Sequence, residues 1–195
     1  MLAIRDVSIA GYRSLRRIRF PVEQLGVFVG ANGVGKTNLY RALQLVQAAA
    51  AGSFARELAA EGGMDSAVWA GPRRAKEAVR IVLGVDLAAA DGVPAYAYEI
   101  AAGLVPQPGG VPSGAAFLQE PQVKSETLTL VSGGRRVVML DRQGPSGFVR
   151  GEDGRRQDLG TSLLATETAL GGLQGRLGWC GRRGSNPHGT EPEGF

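Results

Sequence analysis

The sequence predicts an α/β fold with an antiparallel β lobe, and three observations predict it. A short apolar run bounded by glycines, residues 26–29, leads directly into Gly30-Ala31-Asn32-Gly33-Val34-Gly35-Lys36-Thr37. The segment behind that loop places Leu39, Leu43 and Val46 on one helical face, with Arg41, Gln44 and Gln47 largely on others. From about Val79 onward the pattern changes to the alternation of strands.

The elements follow in order. Ile4, Val7 and Ile9 mark a first strand, while Ile18, Phe20 and Val22 alternate with Arg17, Arg19 and Pro21 in a second. Gly11-Tyr12-Arg13-Ser14 has turn composition, so the two form a hairpin. Residues 26–29 read as a third, buried strand. The helix after the glycine-rich loop is rich in good helix formers and stops near Gly52. A shorter helix is expected over residues 53–60, with Ser53 as its cap and Gly62-Gly63 as its end. Val79, Ile81, Leu83 and Val85 alternate, as do Tyr96, Tyr98 and Ile100. Further strands are expected at residues 116–118, 127–131, 137–140 and 147–150, separated by Gly-, Pro- and Ser-rich loops such as residues 106–114. A last helix is expected over residues 162–170. Residues 171–195 lose periodicity and apolar content and are expected to be disordered.

Composition narrows the function classes. The hydrophobic fraction of 44% and charged fraction of 21% exclude a wholly disordered chain. Twenty-two basic residues against 18 acidic give a net charge of +4, which permits a polyanion such as DNA as partner without demonstrating one. A single cysteine, Cys180, excludes an internal disulfide framework and a zinc site built on several thiolates. The sole histidine, His188, argues against a His-based metal site or a Ser-His triad. The first residues alternate polar and apolar, unlike a signal peptide. No run approaches the roughly 20 apolar residues of a membrane-spanning helix. A cytoplasmic protein without membrane contact is the expectation.

Residues 30–37 satisfy G-x-x-x-x-G-K-T, the phosphate-binding P-loop. Glycines permit backbone angles and close approaches that a Cβ would block. Successive backbone N–H groups, helped by the positive end of the following helix, then cradle phosphate. The expected ligand is ATP with Mg²⁺. Lys36 is placed to reach β- and γ-phosphate oxygens and is the candidate catalytic residue, and the Thr37 hydroxyl is the candidate Mg²⁺ ligand. The candidate cofactor-binding residues are thus Gly30, Ala31, Asn32, Gly33, Val34, Gly35, Lys36, Thr37 and Asn38. The apolar run before the loop and the amphipathic helix behind it are the context this mechanism requires.

The strand, Gly-Tyr-Arg-Ser-Leu, second strand, and then Val-Phe-Val-Gly-Ala-Asn-Gly-Val-Gly-Lys-Thr-Asn-Leu resemble the N-terminal half-head of RecF/SMC-like and OLD-type ATPases, the ABC-class P-loop ATPases. Asn32 and Asn38-Leu39 favour that group over kinases or GTPases. The specific part of the resemblance is residues 4–43, and its whole span is residues 1–170. It implies a P-loop NTPase of the ABC/SMC half-head type with an incomplete sheet. Residues 1–52 would supply strands, loop and first helix, and residues 53–170 a mainly β lobe. It also implies that the turn after the first strand lies near the nucleotide. That adds Arg13 as a phosphate or ribose contact, with Ser14 nearby; the bland alternative is a solvated turn arginine. Arg16, Arg17 and Arg19 read as solvated surface more readily than as a DNA-facing patch. Trp69 and Trp179 read as packing or tail residues.

Hydrolysis in that group requires four apolar residues followed by Asp-Glu, and a Leu-Ser-Gly-Gly-type signature that completes a partner's site in a head dimer. Val131-Ser132-Gly133-Gly134 and Val137-Val138-Met139-Leu140-Asp141 imitate both and are rejected. Arg142 stands where the Glu is needed, and two residues between the patterns leave no room for a signature helix. A strand, a turn at residues 143–147 and a return strand explain the segment better. Residues 81–86 lack the Glu as well, Gln119 and Glu120 lack a convincing spacing for a metal contact, and Glu126, Glu152 and Asp153 have no partner identifiable in sequence. The resemblance therefore implies a missing second half, with the pattern breaking near Gly171, and hydrolysis and homodimerisation only in a completed protein. The rival readings are a non-catalytic nucleotide binder, a DNA-associated structural protein and a gene remnant that does not fold.

Overall fold

Short turns between alternating segments govern this architecture, because a tight hairpin can join only antiparallel neighbours. The computed structural model describes residues 2–72, 78–89, 95–104, 120–151, 153–160 and 163–173. β1 (Leu2–Tyr12) turns at Arg13-Ser14 into β2 (Leu15–Pro21). Three helices follow: α1 (Lys36–Ala51), α2 (Phe54–Ala60) and α3 (Gly63–Ala67). The chain returns as β3 (Arg80–Ala89), β4 (Ala95–Gly103), β5 (Gln122–Ser132), β6 (Arg135–Gln143), β7 (Ser146–Arg150) and β8 (Arg156–Asp158). A four-residue helix, α4 (Ala169–Gly172), closes the described part.

The strands form one sheet in the order β2-β1-β3-β4-β5-β6-β7-β8, with every pairing antiparallel. This overturns the expected α/β P-loop NTPase fold of the ABC/SMC half-head type, which is built on a parallel sheet. The antiparallel lobe accounts for all the described strands. Residues 26–29, expected as a buried strand, pair with none of them; Val27 is 76% and Val29 91% exposed. Phe28 instead meets the Phe20 ring edge-on, centroids 5.1 Å apart. An apolar run becomes a strand only where a neighbour takes its backbone hydrogen bonds, and although β2 stands at the edge of the sheet, the run meets it through the Phe28 ring and not through its backbone.

Two further expectations need correction. Residues 163–168 are not helical, so the expected helix over 162–170 shrinks to α4. Ser53 stands at the N-cap of α2 but makes no side-chain cap bond. The strand at 116–118, the loop at 106–114, and residues 174–195 with Trp179, Cys180 and His188 lie outside the described residues. So do Gln119 and Glu152.

One face of the sheet is the core. Val7, Ile9, Ile81, Leu83, Tyr98 and Ile100 are buried there against α1 residues Leu39, Ala42, Leu45 and Ala49, whose spacing is that of one helical face. Phe54, Leu58 and Met64 extend the cluster. Beside α1 an open apolar groove of about 740 Å³ is lined in part by Leu2, Ile4, Tyr40, Leu43, Leu87 and Tyr96. α4 locks the C-terminal end of α1. The Thr168 hydroxyl donates to the Ala49 carbonyl at 2.7 Å, and Gly171 lies against Gly52, where α1 ends with φ +80°. The opposite face of the sheet is polar, and there Arg19 bridges Asp6 (2.6 Å) and Asp86 (2.9 Å). Among the described residues no helix is long and apolar enough to cross a membrane.

Burial, reinforced by Glu61 and Glu126, raises the Tyr12 and Tyr98 phenols above their ordinary value. A group whose pKa is higher in the folded state contributes fully below its unfolded pKa of about 10 and loses that contribution as pH rises above it. Of the four tyrosines, these two should therefore ionise only together with cooperative alkaline unfolding. Following tyrosinate absorbance and circular dichroism in one titration checks this. Complete ionisation near pH 10, with the dichroism unchanged, is the contrary result.

Candidate phosphate-binding loop

Glycine conformation shapes the loop between residues 30 and 37. Gly33 and Gly35 have φ of +85° and +104°, a region that side-chain-bearing residues rarely enter. Gly35 is the N-cap of α1, and its carbonyl accepts from the N–H groups of Asn38 (2.9 Å) and Leu39 (3.1 Å). No side chain caps this helix end, and its first turn carries no acidic residue. Among the described residues the Lys36 and Thr37 amides have no acceptor, so these and the positive helix end are left for an anion. Asn32, Gly33, Gly35, Lys36, Thr37 and Asn38 line a concavity of about 190 Å³. That is smaller than the roughly 300–1,000 Å³ of pockets for whole ligands, so it suits a phosphate chain with the remainder outside.

Lys36 folds back over the loop, its ammonium donating to the carbonyls of Gly30 (2.5 Å) and Ala31 (2.8 Å). Thr37 and Val34 are exposed, and Ala31, Asn32 and Gly33 lie at the surface. The β1–β2 turn touches the loop through Ser14, whose hydroxyl accepts from the Asn38 amide at 2.9 Å. A Cβ on Gly35 would stand 2.5 Å from that same hydroxyl oxygen, so Gly35 is required by close approach as well as by φ.

Arg13 takes another course. Its φ is +49°, its N–H donates to the Ala67 carbonyl, and its guanidinium pairs with Glu61 at 2.8 Å. The Tyr12 hydroxyl donates to the same carboxylate at 2.7 Å. Ser14, not Arg13, is thus the turn residue in contact with the loop. Arg16 stacks over the Trp69 ring at 5.1 Å.

The two imitations of catalytic motifs resolve as strand and turn. Gly133 and Gly134, with φ of +56° and +77°, form the β5–β6 turn, and residues 137–141 lie within β6. Arg142 sits directly across from Glu126, with a guanidinium nitrogen 4.0 Å from the carboxylate, and both side chains are fully buried. Glu126 accepts from the Tyr98 hydroxyl (2.9 Å) and from the N–H groups of Ala169 (2.6 Å) and Leu170 (2.8 Å). Arg142 donates to the carbonyls of Gly144, Leu164 and Glu167. Burial pushes the Glu126 carboxyl up, against the pull of its donors, and pushes Arg142 down. This clasp was missed in sequence, although Glu126 and Arg142 each occupy the apolar phase of an alternating strand. Among the described residues no group of three or more His, Cys, Asp or Glu is placed to hold a metal ion. Asp153 lies 3.8 Å from Arg155 at the surface.

Residues 2–57 match the model of a family described as a protein of unknown function (DUF2813), a span that covers β1, β2, the loop and α1. No curated protein and no solved structure matches the chain.

Proposed function

We propose that residues 30–37 bind the phosphate chain of a nucleotide, with Mg·ATP as the ligand. The observation that carries this reading is the concavity between the positive-φ glycines and the uncapped start of α1, with the Lys36 ammonium held there, among the described residues, by neutral carbonyls alone. A phosphate oxygen is a charged acceptor and forms the stronger hydrogen bond, so Lys36 exchanges the Gly30 and Ala31 carbonyls for it. Gly33 and Gly35 let the backbone approach, and the Lys36 and Thr37 amides at the start of α1 orient the anion. The Thr37 hydroxyl, exposed on the concavity, is a suitable neutral oxygen ligand for Mg²⁺, which takes its remaining ligands from phosphate and water. When bound, the ion neutralises phosphate charge.

The residue pattern shared with RecF/SMC/OLD-like ATPases supports ATP over other anions. The antiparallel sheet lends no support, so the reading rests on the loop. Binding without turnover is favoured by the sequence, in which no apolar run is followed by the Asp-Glu pair that hydrolysis in that group requires. Titration calorimetry of ATP in Mg²⁺ buffer tests the site. Lys36→Ala, which removes a charge-assisted contact of about 1.5–3 kcal/mol, should weaken binding roughly 10- to 100-fold with the thermal melt unchanged. Equal affinity in the two proteins sinks the assignment, and ATP turnover by the parent chain sinks its non-catalytic part.

A further inference from the structure

Among the described residues Arg13 is the one non-glycine with a positive φ, +49°. A side chain strains the backbone there, and such strain persists only where the surroundings over-determine it. The surroundings of Arg13 do so. Its N–H donates to the Ala67 carbonyl at 2.8 Å, and its guanidinium and the Tyr12 hydroxyl share the Glu61 carboxylate. Tyr12 is buried, pairs with Leu15 across the turn and bridges to Val68. The two-residue turn between β1 and β2 is thus held from its own hairpin and from both α2 and α3. A hairpin alone needs no arginine at this φ, which glycine adopts without strain.

The next residue, Ser14, is exposed and reaches the glycine-rich loop. Its hydroxyl accepts from the Asn38 side-chain amide at 2.9 Å. The same oxygen and the Leu15 side chain lie against Gly35, where an added Cβ would stand 2.5 Å and 3.2 Å from them. Gly35 and Asn38 bracket Lys36 and Thr37, the two residues whose amides have no acceptor among the described residues. The turn therefore grips the chain on both sides of those amides.

We propose that Ser14 is the positioning residue of the loop at residues 30–37, holding Gly35 and Asn38 so that the amides between them keep one direction before an anion arrives. This rests on the reading of that loop as a phosphate site and adds to it a residue from a separate element. Donors already in place need no ordering on binding, which raises affinity without a new contact to the ligand. Ser14 acts through Asn38, and Arg13 acts one step further back, by fixing the turn on Glu61.

Titration calorimetry with Mg·ATP and hydrogen exchange of the ligand-free full chain test this together. Ser14→Ala keeps the Cβ and removes only the hydroxyl. It should weaken binding about three- to tenfold, the worth of one neutral hydrogen bond, with the thermal melt unchanged. Ser14→Thr should restore the affinity. In an Asn38→Ala background Ser14→Ala should cost nothing further, as expected of two residues acting as one unit. Without ligand, the Asn38 and Leu39 amides, which donate to the Gly35 carbonyl, should exchange faster in Ser14→Ala while those of β3 and β4 do not change. The positioning role is overturned, with the phosphate site intact, if the parent binds and Ser14→Ala binds equally. Additive losses from Ser14→Ala and Asn38→Ala overturn it as well, since Ser14 would then meet the ligand separately. So does unchanged exchange at Asn38 and Leu39, or faster exchange throughout the sheet. A parent chain that does not bind Mg·ATP overturns the phosphate site itself, and the positioning role falls with it.

Discussion

Arg142→Ala should destabilise the fold by about 3–5 kcal/mol, the range found when one member of a buried ion pair is removed. The guanidinium is fully buried, faces Glu126, and supplies the donors for the carbonyls of Gly144, Leu164 and Glu167. Alanine would leave a carboxylate without its cation and three carbonyls without these donors. Glu126→Gln should cost less, about 1–3 kcal/mol, because one oxygen remains to accept from the Ala169 or Leu170 N–H. Urea unfolding followed by circular dichroism measures both variants. A change below about 0.5 kcal/mol for Arg142→Ala, the size of an ordinary surface substitution, would show that the clasp does not hold the hairpin to the segment before α4.

Gly11→Ala carries the second large effect, for a steric reason. Gly11 has φ +71°, and a Cβ there would lie 2.1 Å from the Arg80 carbonyl oxygen on the neighbouring strand. Backbone cannot swing aside as a side-chain tip can. Left-handed strain of about 1–2 kcal/mol and overpacking of about 1–3 kcal/mol together predict a loss of about 2–5 kcal/mol. The Gly11 carbonyl also accepts from the Trp69 N–H at 2.8 Å, so the junction with the segment after α3 should loosen too. Gly33→Ala is the comparison, because Gly33 has φ +85° but open space around its missing Cβ. Thermal melts of the two variants should differ clearly, and equal melts would remove the steric part of the argument.

Local pattern carried much of this fold into the sequence. The hairpin at residues 2–21, the helix ending at Gly52 and the alternations of β3, β4, β5 and β6 each depend on period and turn composition, which neighbouring residues encode. Residues 26–29 show where that reasoning stops. Their composition is that of a buried strand, yet burial depends on what lies alongside, and Val27 and Val29 face solvent. The motif at residues 30–37 and the resemblance around it pointed to an α/β P-loop NTPase fold, although a phosphate loop specifies only its own turn and the helix behind it. Arg13 was similarly legible as a turn residue but not as a partner of Glu61, 48 positions away. Glu126 and Arg142 offered a usable signal: two opposite charges in the apolar phase of adjacent strands form a cross-strand pair when the register permits.

The lock between α1 and α4 bears on the order in which the protein can be made. Thr168 reaches the Ala49 carbonyl across 119 residues, and Gly171 fills the space beside Gly52. During synthesis at about 5–20 residues per second, the helix carrying the glycine-rich loop emerges early and waits several seconds for the contact that covers its far end. Closing so long a loop must precede the stabilisation it brings, which slows assembly relative to a chain of local contacts. The C-terminal end of the first helix to appear is therefore among the last parts to be secured, long after the strands that cover its apolar face have emerged, and through that interval this end and the exposed run at residues 25–29 are both open to other chains.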